Sequence, residues 1–143
     1  MEPASRDVTE FLATLDGPNA DSLRALDAII AEAFAGLTRE LWEGKFWGGT
    51  DQQIIGYGHI RQPRPRGAAV EWFVVGLARQ KNHLSVYVNA AEEGEYLVQR
   101  WKNRLGAVKV GAAALTFASI DSLDLDEFRV LLGEAVRLAP NAT

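Results

Sequence analysis

Residues 71–89, EWFVVGLARQKNHLSVYVN, decide the fold. Trp72, Val74 and Gly76 alternate with Phe73, Val75 and Leu77, the polar run Arg79-Gln80-Lys81-Asn82 interrupts, and Leu84, Val86 and Val88 resume a period of two. Successive side chains of a strand point to opposite faces, so the pattern predicts an antiparallel hairpin at the centre of a sheet.

The flanking segments extend that sheet upstream. Residues 40–47 alternate Leu41, Glu43, Lys45 and Trp47 against Trp42, Gly44 and Phe46, and Gly48-Gly49-Thr50-Asp51 reads as a turn into a second strand at 53–60, QIIGYGHI. Gly56 and Gly58 flank Tyr57 there and leave one strand face bare, open to a close approach. The segment 62–67, QPRPRG, cannot continue a ladder because proline lacks the amide donor, and it predicts an exposed, mobile loop bearing Arg64 and Arg66 beside Arg61.

Helical spacing appears on either side. Val8, Phe11, Leu12 and Leu15 follow a Ser5 cap, giving a short helix over about 5–16 that ends at Gly17-Pro18. Leu23, Leu26, Ile29, Ile30, Ala33 and Phe34 form a second apolar stripe, capped by Asn19 or Asp21 and stopped at Gly36. Tyr96, Leu97, Val98, Trp101 and Leu105 predict a third helix over 92–105. Ala114 to Phe117 predicts a last strand. Asp124 with Glu127 then makes a capping box before Phe128, Leu131, Leu132 and Val136, and Pro140 marks a frayed tail. The order helix, helix, four strands, helix, strand, helix is α+β. It predicts one domain with a mainly antiparallel sheet of about five strands and helices packed mostly on one face.

Composition bounds the function. The 143 residues are 48% hydrophobic, enough for one sizeable core. A net charge of −4 and a pI near 5.2 argue against nucleic acid as a partner, because phosphate binding needs surplus Lys and Arg. The absence of cysteine removes thiolate catalysis and cysteine-ligated metals. No apolar run approaches the roughly 20 residues of a membrane span, and the polar, acidic start carries no leader pattern, so a cytoplasmic protein without membrane attachment is expected.

From about residue 21 to 137 the chain resembles the YdhG-like domains of unknown function. The resemblance rests on the order and spacing of LWEGKFWG, QQIIGYGHI, EWFVVGLARQKNHLSVYV, LVQRWKNRLGAVKVGAAALTF and SIDSLDLDEFRVLLGEAV. Lys109-Val110-Gly111-Ala112 keeps the first lysine and the glycine of the family's K-x-G-K segment and has alanine at its end. The resemblance implies a two-layer sandwich similar to frataxin. A distant relative has been regarded as an iron chaperone, but the resemblance identifies no reaction.

No constellation of residues forms a catalytic motif. His59 and His83 lack a partner at ligand spacing, so no metal or cofactor is expected; Glu43 and Glu71, on neighbouring parts of the sheet, are acid–base candidates if they converge with His59. Frataxin-type iron binding would need clustered carboxylates, whereas Asp7, Glu10, Asp16, Asp21 and Asp27 are spread along two helices. The aromatics concentrate on the sheet. Trp42, Phe46 and Tyr57 are expected to line an open face, joined by Trp47 and Trp72, with His59, Lys45, Lys81, Lys109 and Arg79 as polar candidates around it. That face would hold a small ligand or a protein partner, or pair with a second copy to make a homodimer. A non-enzymatic binding module is therefore the leading expectation, ahead of an iron chaperone or a small acid–base enzyme.

Overall fold

The computed structural model describes residues 2–4, 6–46, 50–62 and 66–143, without the side chains of Glu2, Phe46 and Thr50. In chain order the elements are β1 (Glu2–Pro3), α1 (Val8–Thr14), α2 (Ala20–Ala33), β2 (Arg39–Phe46), β3 (Thr50–Gln62), β4 (Val70–Arg79) and β5 (Leu84–Val88). They continue with β6 (Ala91–Glu92), β7 (Glu95–Tyr96), β8 (Lys109–Val110), β9 (Ala114–Phe117) and α3 (Leu125–Arg137). Short 3-10 turns cover Leu97–Trp101 and Ile120–Ser122.

The α+β reading holds. One sheet runs in the order β1-β2-β3-β4-β5-β9-β8 with every pairing antiparallel, and β6 and β7 form a separate small hairpin. Five strands of four residues or more carry the sheet, and two-residue strands finish its edges. The central hairpin forms as expected, with Val75 opposite Val88 and Leu77 opposite Val86.

All three helices pack on one face. Leu23, Leu26 and Ile30 of α2 and Phe128, Leu131, Leu132 and Ala135 of α3 recur at helical spacing and bury against Leu41, Ile55, Tyr57, Val75, Leu77 and Val86. A separate cluster of Trp42, Ile54, Phe73 and Ala78, flanked by Trp72 and Tyr87, occupies the opposite face. No described helix residue belongs to it.

Several local expectations change. Asp7, not Ser5, caps α1, its carboxylate accepting from the Glu10 N–H at 3.1 Å; Ser5 itself lies outside the described residues. Asn19 precedes α2 with a left-handed φ of 64° and makes no side-chain cap. Thr50 and Asp51 already belong to β3, opposite Phe46 and Lys45, and are not turn residues; Gly48 and Gly49 of the expected turn lie outside the described residues. Arg61 is likewise a strand residue, while Pro63, Arg64 and Pro65 of the expected mobile loop lie outside the described residues.

The largest departure is at 92–105. Glu93 at φ 55° and Gly94 at φ 77° form a tight turn between β6 and β7, and the 3-10 segment follows. The expected helix is absent, yet Leu97, Val98, Trp101 and Leu105 all reach the core. Asp124 caps α3 as expected, accepting from Glu127 N–H at 3.1 Å, but the box is not reciprocal: the Glu127 carboxylate accepts from Trp101 Nε1 and Arg104, each at 3.0 Å. The tail is tied down as well. Thr143 donates its N–H to His59 O and accepts from Thr38 and His59 N–H, each at 3.0 Å.

Candidate functional site

The sheet builds two unlike surfaces. On the helix-free face, Gly56 of β3 lies opposite Gly76 of β4, and the missing side chains make a trough that aromatic rings fill. The Trp42 indole lies over Gly56 and the Phe73 ring over Gly76. Trp72 stacks on Phe73 with centroids 4.5 Å apart and meets Trp42 edge-on at 5.5 Å. Gly58, with φ 74°, is approached from the other side by Val74 and Phe34. The bare strand face expected from the glycine spacing is therefore occupied by the chain's own side chains.

Trp42 and Tyr57 do not share a surface. Trp42 is buried in the outer cluster, whereas Tyr57 is fully buried beneath the helices. There the Tyr57 hydroxyl donates to Asp27 Oδ1 at 2.7 Å, and Arg39 donates to both Asp27 oxygens at 2.9 and 2.6 Å. This satisfies a buried carboxylate with a two-point ion pair and a neutral donor. Burial, then the Asp27 charge and the hydrogen bond to it, holds the Tyr57 phenol well above its usual range. One signal of this network was present in sequence: Asp27 lies on the stripe Leu23, Leu26, Ile30, and a charge there must find a partner.

His59 sits at the rim of the outer cluster, 5.8 Å from the Trp42 ring. Its Nδ1 lies 2.8 Å from Glu40 and its Nε2 2.8 Å from Glu71, so both ring nitrogens donate when the imidazole is charged. Burial lowers its pKa, but the hydrogen bonds and charges of Glu40 and Glu71 outweigh that and raise it. The acid–base trio expected from sequence is only partly assembled. Glu43 lies on the helix side, bonded to Arg6 at 3.0 Å, and Glu40 takes the place beside His59 that sequence reasoning left unassigned. Among the described residues no group of three or more His, Asp or Glu is placed to hold a metal.

The other candidates scatter. Trp72 is half-buried on the outer face, Lys45 is exposed opposite Asp51, Lys81 is exposed in the β4–β5 turn, and Lys109 lies on β8 at the far edge of the sheet. Trp42 and Tyr57, two of the aromatics expected on an open face for self-association, are buried within one chain, and Trp47, another of them, lies outside the described residues.

A cleft of about 680 Å³ opens instead on the helix side, lined by residues of α1, α2 and strands β2, β3 and β4. Phe11, Leu15, Leu23 and Leu77 supply its apolar wall; Glu43, Asp51, Gln52 and Gln53 supply its polar floor. Arg79 stands at the other side, its guanidinium donating to the backbone carbonyls of Asp16 and Pro18 in the α1–α2 loop. The alternation of β2 and β3 creates this floor: Glu43 pairs with Gln53 and Lys45 with Asp51, one step beyond the buried pair Leu41 and Ile55.

No family model, curated protein or solved structure matches the chain.

Proposed function

We propose that this chain is a non-enzymatic binding domain that holds a small ligand in the cleft between α1, α2 and the end of the sheet. The cleft carries the reading: its volume of about 680 Å³ suits a small molecule, and it sets an apolar wall against a few polar groups. The aromatic face, filled by Trp42 and Phe73, offers less room. Catalysis is the weaker reading because Glu43 is separated by the sheet from the His59–Glu71 pair, and His59 is engaged by carboxylates at both nitrogens. The resemblance to YdhG-like domains supports a compact α+β domain and identifies no reaction. Cytoplasmic residence belongs to the same proposal and rests on composition.

The reading is tested by screening neutral fragments against isotope-labelled protein by NMR. Hits should move the amides of Gly44, Gln53 and Leu77 together. Hits confined to the surroundings of Trp72 and Tyr87 would return the site to the aromatic face.

A further inference from the structure

The cleft mouth already holds a cation. Arg6 places its guanidinium carbon 5.4 Å from the Phe11 ring centroid and donates through Nη2 and Nε to Glu43 Oε1 at 3.0 and 3.3 Å. Phe11 and Glu43 both line the cleft. An aromatic face beside a carboxylate is the pair of surfaces that recognises a guanidinium, one through the ring quadrupole and the other through charge-assisted hydrogen bonds.

Arg6 is held there lightly. Its side chain is 49% exposed and that of Glu43 38%, so the ion pair is a surface one. The preceding backbone is fixed more firmly: β1 pairs with β2 through Glu2 with Glu43 and Pro3 with Trp42, and Ala4 N–H donates to Leu41 O at 2.7 Å. The backbone up to Ala4 is thus fixed on the sheet, and the Arg6 side chain stands half-exposed at the mouth. Within the cleft a second carboxylate, Asp51, has no ion pair among the described residues. Arg79, also in the lining, donates to neutral backbone carbonyls and keeps its positive charge, so the cation subsite is defined by Phe11 and Glu43 and not by the cleft as a whole.

Resting on the cleft reading above, we infer that the ligand is a cation, a guanidinium or ammonium group on an apolar body, and that Arg6 is a built-in competitor for its charged subsite. The cation replaces Arg6 between Phe11 and Glu43, and its apolar body lies against Leu15, Leu23 and Leu77. Removing Arg6 releases an exposed ion pair and a cation–π contact, which corresponds to a gain in affinity of roughly fivefold to tenfold.

The test titrates the full chain with 2-phenylethylguanidinium, with neutral 2-phenylethanol and with anionic 3-phenylpropionate, following the amides of Gly44, Gln53 and Leu77 by NMR. The guanidinium should bind most tightly, Arg6→Ala should tighten it by roughly that factor, and Glu43→Gln should abolish its advantage over the alcohol. The unchanged remainder of each spectrum reports that the variants fold. If the alcohol or the acid binds the cleft as well as the guanidinium, the cleft remains a site and the cation assignment is wrong. Should no probe move the cleft amides even in Arg6→Ala, the cleft reading falls and takes this inference with it.

Discussion

Gly56 and Gly76 face each other across β3 and β4, and each is covered by an aromatic ring of the same chain. A Cβ at Gly56 would come within 2.5 Å of Trp42 Nε1 and 2.9 Å of Phe73 Cβ; one at Gly76 would strike Phe73 Cε1 and come within 2.8 Å of Ile54 Cγ2. The pair therefore lets two large rings lie flat on a face that no described helix covers.

Alanine at either glycine should be destabilising by about 1–3 kcal/mol through overpacking. The rings are packed against Trp72 and have little room to give. Chemical denaturation of Gly56→Ala and Gly76→Ala measures this, and a cost within 0.5 kcal/mol at both would show, at roughly the scale of ordinary surface changes, that the trough adapts freely.

Breaking the Asp27 network should hurt unequally. Tyr57→Phe removes one neutral donor and leaves Arg39 in place, so a loss of about 1–2 kcal/mol is expected. Arg39→Met strands a buried carboxylate and should destabilise by about 3–5 kcal/mol. Equal losses in the two variants would mean that Arg39 adds nothing beyond a hydrogen bond.

Alkaline pH should unfold the protein through Tyr57. Burial and Asp27 raise the folded-state pKa of its phenol, so the folded state keeps a proton that the unfolded chain releases near pH 10. Its contribution is complete below that unfolded value and fades as pH rises toward the higher folded one. Denaturation curves between pH 8 and about 11 should show wild type losing stability faster than Tyr57→Phe.

His59 sets a second, milder pH dependence. Its pKa is raised in the folded state by Glu40 and Glu71 against the effect of burial, so its stabilisation is present below the unfolded value near 6.5 and is lost as pH climbs through the folded value. The difference in stability between wild type and His59→Gln should shrink over that window. A difference that is constant with pH would show that the imidazole is held by packing on Trp42 rather than by charge.

Much of the fold was readable because strands and helices have different periods. The alternation in 71–78 and 84–88, and the 3–4 spacing of Leu23, Leu26 and Ile30 and of Phe128, Leu131 and Leu132, follow from backbone geometry that holds in any context. The segment 92–105 misled because Leu97, Val98, Trp101 and Leu105 carry helical spacing; a tight turn at Glu93-Gly94 and a short 3-10 segment bring the same side chains inward.

By itself, the sequence determined the three helices α1, α2 and α3, the five longer strands with their antiparallel sheet, and the burial of the apolar stripes, through periods carried by residues near one another along the chain; it did not yield the β6–β7 hairpin or the 3-10 segment after it. Tertiary structure alone decided which rings fill Gly56 and Gly76, that Asp27 meets Arg39 and Tyr57, that Glu40 rather than Glu43 joins His59, and that Arg6 closes on Glu43 beside Phe11. The Asp27, His59 and Arg6–Glu43 contacts join residues 12 to 37 positions apart, and their partners are set by strand register and by how the helices pack on the sheet, which no local period encodes.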